Sequence, residues 1–222
     1  MQRAYGYNFR MKSEEVDLGG TGVHLAVPSG AGRHQAIIVI GAPPSAATQL
    51  TQVADQLSSV GHIALAFPML EDEFDGAELR HKIAAAITLL NDRPDVRHGN
   101  IALWSFGARC GAIASTVPGV SAAIILHLDA DTGPTGDWLP AAPFDPHDVQ
   151  CPVLLIFATS RADADDVIQR IRNNLESAGK VVEVERYDAP ASQADVSLQS
   201  FPARVVADRW DHVQAFLSRH PS

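Results

Sequence analysis

The stretch IALWSFGARCGAIAS, residues 101–115, decides how this chain is expected to fold. Its first four residues are apolar, as in a buried strand. Ser105 and Gly107 follow where such a strand could bend sharply, since small residues allow a tight turn. The stretch ARCGAIA then fits a helix, on which small apolar residues surround Cys110. The stretch therefore predicts a strand, a sharp turn and a helix, with Ser105 and Gly107 at the turn.

Strand-length apolar runs alternate with amphipathic, helix-length segments along the whole chain. This alternation predicts a parallel sheet covered by helices on both faces. A hairpin around the GGTG turn comes first, so we expect one α/β domain over residues 1–222 with a mostly parallel, doubly wound, eight-stranded sheet. Its ligand crevice should lie at the carboxyl ends of the strands. Strands are predicted at 16–18, 23–27, 36–40, 63–67, 101–104, 122–127, 153–157 and 181–187, and helices at 50–61, 78–90, 164–179 and 203–219.

Composition limits the classes of partner and the compartment. The formal net charge is −9, with acidic residues scattered along the chain, which argues against nucleic-acid binding because that needs clustered Lys and Arg. No apolar run has the length of a membrane span or a signal peptide. Cys110 and Cys151 are the only cysteines and have no metal-type spacing, so we expect buried thiols in a reducing cytoplasm and no metal or cofactor.

Residues 36–70, 101–115, 151–163, 182–195 and 209–217 occur in an order and spacing similar to those of a known family. The first two stretches resemble the third strand with its oxyanion-side loop, and the central strand with its nucleophile turn, of the dienelactone hydrolases. The next two resemble the strands that lead to that family's catalytic acid and histidine, and the last resembles its closing helix. The resemblance covers nearly the whole chain and implies the α/β-hydrolase fold.

The catalytic positions depart from the family pattern. Family members use a cysteine or serine nucleophile, an aspartate after the seventh strand and a histidine after the eighth. Matched without gaps, the acid position holds Arg161, the histidine position holds Ser192, and the family's glutamate near the third strand is replaced by Ala42. The resemblance therefore implies a degenerate triad, with these three as candidate substrate-binding residues. Arg161 could clamp a carboxylate through its guanidinium.

The nucleophile turn can be aligned in two ways. If the strand IALW is matched strictly, Gly107 takes the nucleophile position. If the following helix and strand are matched instead, Ser105 takes it. We prefer Ser105, because WSFG is typical of the core of such a turn and the other alignment shortens the helix by nearly a turn.

A serine hydroxyl needs an adjacent base and a group that orients the base. His127 ends the sixth predicted strand, which in this fold neighbours the central strand. With Asp129 or Asp131 as the acid, His127 and Ser105 would form a displaced triad. The alternative is that His127 is a structural histidine at a strand end.

The start of the helix after the turn offers a second kind of chemistry. We expect the backbone N–H groups of Phe106 and Gly107 to point into the crevice, where they would polarise a carbonyl without any triad. The predicted function is therefore that of a dienelactone-hydrolase-like protein acting on a small carbonyl, ester or carboxylate compound. Its hydrolysis would be weak or replaced by an isomerase, cyclase or lyase step. The alternative is a non-catalytic binding or scaffold protein, and a homodimer is compatible with both.

Overall fold

The computed structural model describes residues 11–41, 47–68, 76–128, 145–158, 164–187 and 212–220. These residues form one eight-stranded sheet in the order β1-β2-β4-β3-β5-β6-β7-β8, in which β3 to β8 run parallel and β1 and β2 are antiparallel to their neighbours. The strands are β1 (Met11–Leu18), β2 (Thr21–Pro28), β3 (His34–Gly41), β4 (Ile63–Pro68), β5 (Val96–Phe106), β6 (Ala122–Leu128), β7 (Val153–Ala158) and β8 (Val182–Tyr187). The helices are α1 (Ala47–Ser59), α2 (Gly76–Asn91), α3 (Ala108–Ala114), α4 (Ala164–Ser177) and α5 (212–219), with a 3₁₀ turn at Pro146–Asp148.

Helices cover both faces of the sheet, as predicted. α1 and α5 pack on one face, where Leu50 and Phe216 join the apolar cluster that contains Trp104. α2, α3 and α4 pack on the other face, where Ile83 and Ile171 join a second cluster. Because strand side chains alternate between faces, neighbouring residues of β5 enter different clusters. The predicted fold class, an α/β doubly wound sheet, is confirmed.

Glycines end two of the predicted helices where the sequence indicated. Gly61 follows α1 with a φ of 101°, and Gly179 follows α4 with a φ of 76°. Both lie in the left-handed region, which other residues avoid because their Cβ atoms clash with the backbone. No helix in the described ranges is both long and apolar enough to cross a membrane.

Two strands extend furthest beyond their predicted bounds. β1 begins at Met11 rather than at residue 16, because its polar first half pairs with β2 although it faces solvent. β5 continues past residue 104 to Phe106, which pairs with Gly41 of β3 and Leu126 of β6. Because the central strand ends two residues later than predicted, the turn that follows it also lies later in the sequence.

Candidate functional site

The ends of β3, β5 and β6 form the middle of the crevice edge predicted to bind ligand. The last residues that pair β5 with β3 and with β6 are Gly41, Phe106 and Leu126, which lie side by side in the ladder. Gly41 is tightly covered, since a Cβ there would lie 3.2 Å from atoms of both Leu50 and Phe106. A side chain at residue 41 would therefore require Leu50 and Phe106 to shift by a few tenths of an ångström.

Gly107 occupies the turn between β5 and α3. Its φ of 134° and ψ of 127° lie outside the regions that residues with a side chain readily adopt. Its N–H donates to the carbonyl of Leu126 at 3.1 Å, which carries the β5–β6 pairing one residue past the strand. Among the described residues, nothing lies within 4 Å of a Cβ built on Gly107. The tip of the turn therefore carries no side chain, and no described residue packs against it.

Ser105 lies in the strand, two residues before that tip. It pairs with Ile40 on one side and Ile125 on the other, and it is 0% exposed. Its hydroxyl donates a hydrogen bond of 2.9 Å to the carbonyl of Gly107, which also accepts the N–H of Gly111. The serine hydroxyl is thus tied to the backbone of the turn.

α3 covers Ser105 from above. A Cβ on Gly111 would lie 3.0 Å from the Cβ of Ser105 and 2.7 Å from Cγ2 of Ile125, so only glycine allows the helix to come this close. Sequence reasoning missed the role of Gly111, although the run of small residues in ARCGAIA carries the signal. The close contact separates the serine hydroxyl from the crevice.

The position of the turn corrects the preferred alignment. The sequence analysis placed Ser105 at the nucleophile position, whereas the residue between strand and helix is Gly107. The physical reason is the longer β5, whose pairing with β3 and β6 carries Ser105 and Phe106 into the sheet. The strict strand alignment, the less favoured of the two, describes this geometry.

The second correction concerns Gly107, one of the two predicted oxyanion donors. The N–H of Gly107 is already hydrogen-bonded to Leu126, so it does not point unpaired into the crevice. The Phe106 side chain is 4% exposed and stacks on Trp104, with ring centroids 5.9 Å apart and planes 4° apart. The Phe106 ring is therefore part of the hydrophobic cluster under α1 and α5.

Of the displaced triad, only part falls within the described residues. His127 follows Leu126 in β6, so its backbone lies beside the turn at Gly107. The side chain of His127 is outside the described set. The other predicted site residues, Ala42, Asp129, Asp131, Arg161 and Ser192, also lie outside the described residues.

The two cysteines are unsuited to nucleophilic chemistry. Cys110 and Cys151 are 1% and 6% exposed, and burial raises the pKa of the Cys151 thiol to about 12. A thiol with this pKa is almost wholly protonated near neutral pH, and the thiolate is the reactive form. Both thiols lie in the cluster under α2, α3 and α4, as core residues.

Several histidines are held away from the crevice. His62 precedes β4 at the opposite end of the sheet, and burial lowers its pKa to about 4 while Gln214 of α5 donates to its Nε2 at 2.8 Å. His24 contacts Asp55 at 2.8 Å, and His212 contacts two glutamates of β8. Within the described ranges, no group of three or more His, Cys, Asp or Glu side chains could hold a metal ion.

Comparison of the whole fold with solved structures gives close matches over nearly the full chain. A proposed dienelactone hydrolase from Klebsiella pneumoniae superposes with a TM-score of 0.72, covering 94% of this chain and 99% of that one at 17% identity. The fold is that of the dienelactone hydrolases. A dienelactone hydrolase-like promiscuous phosphotriesterase from metagenomic libraries matches with a TM-score of 0.71, at 16% identity over 97% of this chain and all of the other. The dienelactone hydrolase of Anabaena variabilis matches with a TM-score of 0.62, at 18% identity over 97% of this chain and 100% of that one.

Comparison of sequences does not assign the chain to a family. No family model matches the chain, and no curated protein matches it. Identities of 17%, 16% and 18% establish the shared architecture only. Chemistry must therefore be argued from the residues of this chain, because one fold supports many functions.

Proposed function

We propose that this chain binds a small carbonyl, ester or carboxylate compound at the carboxyl ends of its strands and performs no covalent serine step at the turn. The observation that carries the proposal is the glycine at the tip. Gly107 has no side chain, and no described residue lies within 4 Å of a Cβ built on it. Where a hydrolase of this fold would present its nucleophile, this chain leaves room for part of a ligand.

The surroundings of Ser105 support the absence of a serine step. An activated serine hands its proton to a basic side chain and then attacks the substrate. The Ser105 hydroxyl donates instead to the carbonyl of Gly107, which is not a base at neutral pH. Removing the proton would leave an alkoxide facing a carbonyl oxygen in a buried place, which is strongly unfavourable. Burial beneath Gly111 also denies a substrate access to the hydroxyl.

The strand register favours a second candidate function, an isomerase, cyclase or lyase step with His127 as the proton-transfer group. Leu126 pairs with Phe106, so the backbone of His127 lies next to the tip at Gly107. In this candidate, Asp129 orients the histidine, and Ala42, Arg161 and Ser192 contact the ligand. Such chemistry requires proton transfer and ligand orientation but no attack by Ser105.

Intact mass after treatment with a fluorophosphonate tests the absence of the serine step. We expect no adduct on the folded protein under conditions that label an active serine esterase completely. A single adduct that is lost in Ser105→Ala would show that Ser105 is an activated nucleophile, and it would overturn this half of the proposal.

A thermal-shift screen with lactones, esters and small carboxylates tests the binding half. A ligand present at 100 times its Kd adds about 2.7 kcal/mol to the free energy of unfolding, which raises the melting temperature measurably. We expect at least one class to bind wild type and Ser105→Ala equally. Failure of every class to shift the melting temperature would contradict binding.

His127→Ala tests the second candidate function. If His127 is the proton-transfer group, this variant should lose turnover and keep ligand binding.

A further inference from the structure

β1 is an edge strand of the described sheet and is unusually regular. Its pairing with β2 runs without a bulge from Met11, opposite Pro28, to Leu18, opposite Thr21. Residues 11–15 are all exposed. A regular edge of this kind offers backbone groups for pairing with another strand, and charged side chains usually decide whether pairing occurs.

The hairpin fixes which backbone groups of β1 face outward. Gly19 and Gly20 form its two-residue turn, with φ angles of 62° and 90°, and Leu18 opposite Thr21 closes it. In such hairpins the closing pair is hydrogen-bonded, and hydrogen-bonded pairs alternate along the strand. The even-numbered residues of β1 therefore bond to β2, and the odd-numbered residues from 11 to 17 direct their N–H and C=O groups outward.

We propose that β1 pairs in antiparallel fashion with β1 of a second copy of this chain, with Ser13 on the two-fold axis. Residues opposite each other in an antiparallel pair lie on the same face, so only residues of equal parity can be opposed. With Ser13 on the axis, Lys12 stands opposite Glu14 of the second copy, and the symmetry repeats this pair. The two sheets then join into one.

The charges on β1 select this register over its neighbours. An axis at Lys12, Glu14 or Glu15 would place each of these residues opposite its own copy. Like charges directly opposite are destabilising, whereas opposite charges stabilise a cross-strand pair. Ser13 is uncharged and is flanked by Lys12 and Glu14. Of the four registers with the axis at residues 12 to 15, only the one centred on Ser13 places Lys12 opposite Glu14 and puts no like-charge pair on the axis.

The local contacts leave Glu14 available for this pairing. Its carboxylate lies 3.4 Å from the guanidinium of Arg93, yet the side chain remains 57% exposed. At the opposite edge of the sheet, Glu183 of β8 accepts a bond of 2.6 Å from Arg219 of α5. The acidic side chain there is therefore held by its own chain, which favours β1 as the edge that pairs.

Cross-linking tests the predicted axis. Residues opposed in a hydrogen-bonded antiparallel pair have Cα atoms about 5.5 Å apart, within the range that a disulfide spans. Ser13→Cys should therefore form a covalent dimer on mild oxidation of the full chain. Glu15→Cys is the matched control, because its copies would lie about 14 Å apart along the strands. Both native cysteines are buried and should not interfere.

Charge reversal tests the pairing by sedimentation velocity over a concentration series. We expect a concentration-dependent dimer, and dimerisation should weaken about tenfold or more in Lys12→Glu or Glu14→Lys, because attraction becomes repulsion at two symmetric sites. The double variant K12E/E14K should recover most of the affinity, and Arg172→Glu on exposed α4 should change nothing. A wild-type protein that stays monomeric, a swap that fails to recover, or cross-linking of Glu15→Cys in place of Ser13→Cys would overturn the proposal.

Discussion

Gly111→Ala probes the contact that buries Ser105. The new Cβ would lie 2.7 and 2.8 Å from Cγ2 and Cγ1 of Ile125, and 3.0 Å from Cβ of Ser105. Overpacking of this kind typically costs about 1–3 kcal/mol. Alanine gains about 1 kcal/mol over glycine inside a helix. The net expectation is a loss of up to about 2 kcal/mol in the free energy of unfolding, set by the difference between these effects.

A double-mutant cycle with Ile125→Ala isolates the clash. The single change at Ile125 removes both close atoms and should cost about 2–5 kcal/mol through the cavity it leaves. In that background the clash with Ile125 is gone, so Gly111→Ala should become neutral or stabilising. Urea unfolding of the four proteins should then show a coupling of about 1–3 kcal/mol. If Gly111→Ala stabilises both backgrounds equally, α3 does not press on the strand and the burial argument fails.

Three further predictions concern single side chains. Ser105→Ala should lose about 0.5–1.5 kcal/mol of stability in chemical denaturation, the value of one hydrogen bond, without changing ligand binding. Burial lowers the pKa of His62 from 6.5 to about 4, so the unfolded chain takes up the proton at a higher pH than the folded chain does. The free energy of unfolding should therefore be highest above about pH 6.5 and fall by about 2 kcal/mol by pH 5. In the variant His62→Gln, the free energy of unfolding should depend less on pH in the same assay. Cys110 and Cys151 should resist a thiol reagent in the native state and react after unfolding, because both are buried; prompt reaction of either would contradict the described core.

The sequence predicted the architecture well because burial leaves strong periodic patterns. The runs at 36–40 and 153–157 fall inside observed strands, and the helix pattern at 164–179 matches α4, which ends at Ser177. The polar first half of β1 was missed, since an edge strand facing solvent has no apolar signal. The hairpin glycines and helix-ending glycines were readable because each occupies a backbone conformation that favours glycine.

The candidate site was less predictable because it depends on where one strand ends. Pairing with β3 and β6 extends β5 by two residues beyond the apolar run, to Phe106. Nothing in the local sequence reports that pairing, so Ser105 and Gly107 could not be separated by pattern alone. The shift changes a candidate nucleophile into a buried strand residue, and it leaves a glycine at the tip.

The most direct test of the account compares the thiol reactivity of Gly107→Cys and Ser105→Cys in the native protein, with wild type as the baseline. No described residue lies within 4 Å of a Cβ built on residue 107, whereas residue 105 is 0% exposed. A cysteine at residue 107 strains the backbone, because Gly107 has a φ of 134°. In the folded Gly107→Cys variant, the thiol should be alkylated promptly. Ser105→Cys should react at least about 100-fold more slowly, because modification of a buried thiol requires an opening that costs about 3 kcal/mol or more. Fast labelling of Ser105→Cys with protection of Gly107→Cys would place the serine at the tip and contradict the account.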